Sequence, residues 1–455
     1  MTRVRVAAEK NSRIVAARNR NIAIRKANSM IYTEAIEFLL SGEGEIKPGL
    51  ERISKLIQNL SNPHTGMKII HIAGTNGKGS VAAYISNVLF EAGFRVGRFN
   101  SPWLSKVNNC ICVDGEVISD EEIINSAAEI LPYSFGVTQF EKLTALAFCH
   151  FRNKNCEYVV LEAGMGGSFD ATNFISTSVV SVITKVSIDH QTFLGETLKE
   201  IAKHKAGIIK KGCEVVVAAQ MPEVMTQILL ECERKGAKLA VVNQKEINVE
   251  KMDLNGSRFH FGRDNSSNFF EIAMLGDHQI ENCCLAILAL RKIFGNCEKF
   301  KEYLETEEII RNGVKNVVWP GRFEIVCRRP WVIVDGAHNV DGMKSLLAGL
   351  NTFFPKLNPI FIVGVMKDKE VEAMMNLLSK AAKRIISITP NNQRALHSFE
   401  LAEIAKKYFE NVLDGDTIEN AIRIAMNEAK SDDVIVVCGS LYIDQVKDEV
   451  CRYVL

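Results

Sequence analysis

Seven consecutive residues, Gly74-Thr75-Asn76-Gly77-Lys78-Gly79-Ser80, are of the types that hold a phosphate chain. Glycines let successive backbone N–H groups converge on an anion with no Cβ in the way. Lys78 supplies a mobile positive charge for β- and γ-phosphates, and Ser80 a hydroxyl for magnesium. The spacing departs from the strict GxxxxGK[ST] form, because Gly79 stands between lysine and serine and the loop is shorter. A purely structural glycine turn is the bland alternative. It is outweighed by the order of features: an apolar run, the loop, a lysine, a hydroxyl, then a helical pattern.

Three further places carry polar residues just after an apolar run. Glu162 closes Tyr158–Leu161 and precedes Ala163-Gly164-Met165-Gly166-Gly167. An acid at the carboxyl end of a parallel strand lies at the mouth where α/β sheets bind ligands, and magnesium favours carboxylates beside phosphate oxygens. Asp189-His190-Gln191 follows the run Val179–Thr184 and is expected at the same edge, with His190 as metal ligand or as structural histidine. Asp335-Gly336-Ala337-His338-Asn339 follows Trp331–Val334, as a ligand loop or as a turn with a capped helix. Arg322, in Pro320-Gly321-Arg322, is by itself only an arginine in a turn.

These positions need an alternating strand–helix frame. Apolar runs at 68–73, 158–161, 179–184, 215–217 and 239–242, separated by helical patterns, predict a mostly parallel sheet covered on both faces. A long buried helix is expected from Leu275 to Phe294. The pattern restarts near Trp319-Pro320-Gly321. Strands at 331–334, 360–365, 384–388 and 434–437 alternate with helices near 342–352, 370–382, 399–409 and 416–429. The fold class is therefore α/β: a P-loop-containing, mostly parallel sheet domain over 30–318 and a smaller Rossmann-like α/β domain over 319–455.

With 455 residues, 47 % hydrophobic and 24 % charged, the chain has room for two cores and is neither a disordered chain nor a coiled-coil rod. No apolar run reaches the roughly 18–20 residues of a membrane helix. A net charge of +1 gives no field for nucleic acid. Twelve scattered cysteines, none in CxxC spacing, read as reduced thiols of a cytoplasmic protein. Residues 1–29 carry a charge of +7, leaving −6 for the rest. They lack an apolar core of a secretory signal. An Arg-rich mitochondrial leader is one reading; a basic, disordered extension ahead of a first residue at Met30 is preferred.

Together the motifs carry a resemblance. From about Met30 onward the chain resembles the folylpolyglutamate synthase/dihydrofolate synthase family, within the Mur-ligase-like ATP-dependent amide synthases. The matching segments, in order, include Lys47–Arg52, His71–Ser80, Phe140–Phe148, Met165–Gly167 with Asp170-Ala171-Thr172-Asn173, and Asp189-His190. They continue through Leu194–Leu198, Lys205–Lys210, His278-Gln279 with Asn282, Pro320–Glu324, Asp335–Asn339 and Gly439-Ser440-Leu441-Tyr442. The resemblance implies that ATP phosphorylates a folate or dihydropteroate carboxylate and that L-glutamate's amine attacks the acyl phosphate. It implies Lys78, Lys205 and His338 as catalytic residues. Ser80, Glu162, His190 and Lys205 would bind two Mg²⁺ ions, with Lys205 carrying a carbamate. Nucleotide contacts are implied for Gly74 to Ser80, Asn282, Arg322 and Asp335, and a glutamate contact for Ser440. ATP, L-glutamate and a folate-type acid are the expected partners of a monomer, with neither nucleic acid nor membrane.

Several positions depart from the family pattern. Ser101-Pro102-Trp103-Leu104 replaces a usual Ser-Pro-His-Leu, and Asn109-Cys110-Ile111 a usual Glu-Arg-Ile. Gly167-Ser168-Phe169-Asp170 loses an arginine, and His204 stands where a glutamate usually precedes the lysine. The first three touch the region that handles the pterin in the family. Two alternatives stay open: a related ligase for a non-folate acid, and a non-catalytic ATP-dependent binding protein.

Overall fold

The computed structural model describes residues 30–42, 48–103, 106–262, 269–297, 299–300, 302–355, 358–382, 384–441 and 445–454. The expected extension at 1–29, with Lys47, Leu104 and Tyr442, lies outside them.

Eight strands form the first sheet: β1 (Lys68–Ala73), β2 (Val96–Phe99), β3 (Ile111–Val113), β4 (Glu116–Val117), β5 (Tyr158–Glu162), β6 (Val180–Ile183), β7 (Glu214–Val217) and β8 (Lys238–Val241). Their order is β4-β3-β2-β5-β1-β6-β7-β8, with β1 between β5 and β6. The pairings from β2 across to β8 are parallel, while β3 pairs antiparallel with both β2 and β4. β1 and β5 are apolar along nearly their whole length and buried on both faces, as parallel strands beneath two helical layers must be.

Helix α1 (Lys78–Glu91) leaves β1 through the glycine loop, and α2 (Leu198–Ala206) and α3 (Asp277–Gly295) follow. Buried faces of α1 and α3 meet in one core through Val81, Tyr84, Ile85 and Val88 against Ile280, Cys284 and Ile287. The opposite face of the sheet is covered by the helices Glu51–Asn59, Asp120–Ile130 and Gln139–Asn153. A three-stranded antiparallel sheet, β9 (Ile247–Asp253), β10 (Gly256–Phe261) and β11 (Phe269–Ile272), lies beside α3. The sequence pattern hides it: β9 is Ile-Asn-Val-Glu-Lys-Met-Asp and none of it is fully buried, so it reads as polar linker.

The second sheet contains β12 (Glu324–Arg328), β13 (Trp331–Val334), β14 (Ile360–Val363), β15 (Arg384–Ile388), β16 (Asn411–Asp416) and β17 (Val434–Cys438). Its order is β12-β13-β17-β14-β15-β16, parallel except for the β12 edge. Helix α4 (Val340–Phe353) starts just after β13. The carboxyl ends of β1, β5 and β6 face those of β13 and β14, and the candidate site lies between them. Among the described residues no helix is long and apolar enough to cross a membrane.

Candidate active site

The phosphate loop is shaped by what crowds it. Gly74 has φ +151° and a Cβ there would overlap Thr184 Oγ1; Gly77 has φ +87° and a Cβ would overlap Asn282 Oδ1. At both places a side chain meets strain and collision together. Thr75 ties the loop to the segment after β6: its N–H donates to Lys185 O at 2.9 Å, its hydroxyl to Ser187 O at 2.9 Å. Lys78 opens α1, its Nζ donating to Thr75 O at 3.1 Å and standing 3.8 Å from Glu162 Oε1. Ser80 Oγ is buried with no partner among the described residues.

Glu162 is the last residue of β5, paired in register with Ile72 beside the loop. Asn100 Nδ2 donates to its Oε2 at 2.8 Å, which leaves Oε1 toward Lys78. Burial pushes its carboxyl up, and Lys78 opposes the shift.

Lys205 reaches the same place from α2. That helix starts with a capping box: Glu200 N donates to Thr197 Oγ1 at 3.2 Å while the Glu200 carboxylate accepts from Thr197 N at 3.1 Å. The Lys205 Nζ donates to Gly74 O at 2.7 Å and the residue is 3 % exposed. Burial, then the Lys78 charge, bring its ammonium down to about 7, against the pull of Asp189 and Asp170. The glycine loop after Glu162 is pinned by Asp170, whose Oδ2 accepts from Met165 N at 2.7 Å and whose Oδ1 accepts from Thr172 Oγ1 at 2.5 Å.

His190 has φ +54°, a left-handed conformation that is strained for a residue with a Cβ. Its own N–H donates to Asp189 Oδ1 at 2.8 Å, which holds the turn. Burial is the largest effect on its ring; Lys369, Lys205 and Lys78 add to it and bring the imidazole down to about 3, despite Asp189. The ring is therefore neutral and keeps a lone pair. Burial alone would raise the Asp189 carboxyl, but the facing His338 and His190 imidazoles and the Lys369 ammonium hold it well below the usual range.

From the second sheet, Arg322 and His338 complete the lining of a cavity of about 70 Å³ with Gly74 to Gly79, Glu162, His190 and Lys205. His338 Nδ1 lies 2.7 Å from Gly336 O, so it carries the proton and donates, leaving Nε2 3.7 Å from Asp189 Oδ2. Asp335 sits behind this surface as a brace: its oxygens accept from Phe323 N and Ala337 N, each at 2.8 Å. Asn282 also stands in the second rank, against Gly77, with its amide donating to Gln279 Oε1 at 3.1 Å. Ser440 is buried beside Leu441, which lines the cavity.

Three features escape motif reading. Lys369 Nζ meets Asp189 Oδ1 at 2.5 Å, with both side chains under a tenth exposed. Asn76 and Asn339 exchange amide hydrogen bonds at 3.1 Å across the two sheets. Trp319 covers Gly79, where a Cβ would lie 2.9 Å from its Nε1, and Arg98 lies over its ring at 4.9 Å. Lys369 is hidden in the charged run Lys367-Asp368-Lys369-Glu370, which reads as a solvated turn; its position just beyond β14 was the available signal.

Residues 72–290 match the Mur ligase middle domain and residues 321–441 match the Mur ligase, glutamate ligase domain. The folylpolyglutamate synthase of Lacticaseibacillus casei is 34 % identical over 432 residues, covering 91 % of this chain and 97 % of that protein. The dihydrofolate synthase/folylpolyglutamate synthase of Bacillus subtilis is 33 % identical, covering 87 % and 93 %. The chain belongs to the folylpolyglutamate synthase/dihydrofolate synthase family. This ligase also superposes on the solved Mycobacterium tuberculosis folylpolyglutamate synthase complexed with ADP and AMPPCP, with a TM-score of 0.81, 30 % identity and coverage of 92 % and 98 %. It is an ATP-dependent amide ligase, and the mouth between its two sheets is the place where its loop, carboxylate, lysines and imidazoles converge.

The departures from the family pattern fall in different surroundings. Cys110 is 2 % exposed and its thiol donates to Val107 O, so it faces the core. Ser168 donates from N–H and hydroxyl to His204 O, and the Phe169 ring lies 6.0 Å from the His204 ring, next to Lys205. Trp103 packs against the core below the Ser101-Pro102 rim.

Proposed function

We propose that this ligase uses ATP to activate the carboxylate of a folate-type acid, folate or dihydropteroate, and joins it to the amine of L-glutamate. The observation that carries the reading is the convergence of Lys78, Glu162, His190 and Lys205 with Arg322 and His338 on one cavity. A carboxylate is a poor electrophile. Its oxygen attacks the γ-phosphorus, the bond to the β-phosphate oxygen breaks, and ADP leaves an acyl phosphate. The glutamate nitrogen then attacks the acyl carbon and phosphate departs.

Lys78 and the loop N–H groups offset charge gathering on the β-phosphate oxygen. Arg322 does the same from the opposite wall. His338, with its proton on Nδ1, holds a lone pair on Nε2 to take the proton of the glutamate ammonium. Ser440, buried beside this wall, is assigned to the glutamate, and Asn282 and Asp335 to support of the nucleotide from behind.

Magnesium suits the donors. Ser80 Oγ is an orphaned buried oxygen, Glu162 Oε1 faces the loop, and the His190 ring is neutral. A cation at these donors completes its shell with phosphate and water oxygens. Ser80, Glu162, His190 and Lys205 would hold two such ions, which screen phosphate charge when bound. An amine near 7 is partly neutral, so the Lys205 nitrogen can bond to CO₂ carbon and release a proton, becoming a carbamate whose oxygens are anionic donors.

The ligase reads as a cytoplasmic monomer of two domains, 30–318 and 319–455; twelve unpaired cysteines support a reducing compartment. The test is phosphate release with ATP, L-glutamate and dihydropteroate, dihydrofolate or tetrahydrofolate, with product mass measured. Glutamate-dependent turnover with at least one of the three is expected. Turnover with none, or ATP hydrolysis without a ligated product, contradicts the reading.

A further inference from the structure

Six side chains join the two domains around the phosphate loop. Lys369, beyond β14, donates to Asp189 Oδ1 at 2.5 Å, and Asn339 Nδ2 donates to Asp189 Oδ2 at 3.2 Å. Asn339 is also the N-cap of α4, its Oδ1 accepting from Gly342 N at 2.8 Å. The same Oδ1 accepts from Asn76 Nδ2 at 3.1 Å, and Asn76 Oδ1 accepts from Asn339 Nδ2 at 3.1 Å. Asn76 Nδ2 also donates to Asp341 Oδ2 at 3.1 Å, and Lys185 pairs with Asp341 Oδ1 at 3.1 Å. Asp189, Asn339 and Lys369 are each less than a tenth exposed.

Every polar atom of the Asn76 side chain is thus turned toward the second domain, although Asn76 sits in the middle of the phosphate loop. The cavity the loop encloses is about 70 Å³, well under the roughly 300–1,000 Å³ of sites that hold ligands of nucleotide size. A joined arrangement this narrow favours entry of ATP and an acid when these contacts part. Lone buried charges are costly, so Asp189 and Lys369 favour the joined arrangement over one in which either is buried alone.

We propose that Lys369 is a positioning residue: with Asp189 it forms a latch between the domains, and Asn339 passes the closed state of that latch to the phosphate loop through Asn76. Closure and loop geometry then change together. Lys369 acts through Asp189 and Asn339 and needs no contact with ATP or acceptor. The proposal rests on the ligase reading only for what has to enter.

The test uses the full chain with Lys369→Met, Asp189→Asn, the double variant and Asn76→Ala. Hydrogen exchange is measured in the nucleotide-free protein at 74–80 and 339–345, alongside kcat and the KM for ATP. In Lys369→Met, exchange at 74–80 is expected to rise at least tenfold, although residue 369 lies on the other domain. Its kcat should fall by tenfold or more with little change in KM, because the open form still binds ATP. The double variant should be no worse than the poorer single. Unchanged exchange at 74–80, or losses in kcat that multiply in the double variant, overturns the latch. Should Lys369→Met fail to fold, Asn76→Ala breaks the same link without stranding a buried charge; it should speed exchange at 339–345, and unchanged exchange there overturns the proposal. Exchange needs no substrate, so a wrong acceptor acid would leave this result standing.

Discussion

The two walls of the cavity are built on different principles. The wall from the first sheet is anchored by backbone: a loop with glycines at 74 and 77 in conformations a side chain cannot share, and a helix start behind it, set the frame for Lys78, Glu162, His190 and Lys205. The wall from the second sheet is side chain: Arg322, His338 and Leu441 line the cavity, with Asp335, Asn339 and Lys369 behind them. Backbone walls hold their shape through local strain and packing. Side-chain walls depend on partners far away in sequence, and so can form and dissolve as the domains move. Rigid anion recognition with adjustable closure is what a ligase needs if it must admit three substrates and then exclude water.

Removing charge from the rigid wall should produce the largest effect. Lys78→Ala is expected to lower kcat/KM by about 10³-fold, the upper range for losing one stabilising donor, with the melting temperature nearly unchanged. Normal turnover in a folded variant would remove the loop from the chemistry. Gly74→Ala follows. Its Cβ must overlap Thr184 Oγ1 at φ +151°, so the loop shifts and turnover drops roughly 10²-fold, the scale for misplacing a reacting group by about 1 Å. Full activity with a lowered melting temperature would show that the loop tolerates distortion.

Lys205 separates two readings of the same wall. As a carbamate it is an anionic oxygen donor, so Lys205→Glu should retain about tenfold more activity than Lys205→Arg, and acetate should partly rescue Lys205→Ala. As a plain cation it should tolerate arginine best and ignore acetate. Assays at saturating Mg²⁺ and bicarbonate decide, and an active arginine variant sinks the carbamate.

A smaller effect comes from Lys210, whose Nζ donates to Asn173 Oδ1 at 2.7 Å behind the site. Burial, then Lys235, lower its ammonium to about 8. The unfolded chain, near 10.4, binds more protons between those values, so stability rises with pH across about 8 to 10.4. Relative to Lys210→Met, the wild type should gain up to about 3 kcal/mol in that window, read from urea unfolding at several pH values. Parallel curves would show that Lys210 keeps an ordinary pKa.

The same contrast explains what the sequence reveals. The glycine loop, Glu162 and the strands β1, β5 to β8, β13 to β15 and β17 are legible because local chemistry dictates them, as apolar runs and turn glycines; β2 to β4, β12 and β16 are not. His190 and Lys205 are visible only as an ambiguous histidine and an ordinary helix lysine until the fold places them beside Gly74. Lys369, Asp341 and the Asn76–Asn339 pair are not legible, since their meaning lies in partners 150 to 265 residues away. Asp335 shows the converse: its place in a conspicuous motif suggests ligand contact, while both oxygens hold backbone amides. The strands β9 to β11 are missed because exposed charged residues break their alternation.

The central claim is that ATP activates the acceptor as an acyl phosphate within the closed cavity. The most direct measurement labels the acceptor carboxylate with ¹⁸O and follows the label by mass after one turnover with ATP and L-glutamate. The account predicts one ¹⁸O atom in the released phosphate and one fewer in the ligated product. Released phosphate free of ¹⁸O, with the lost label found in water instead, would contradict it.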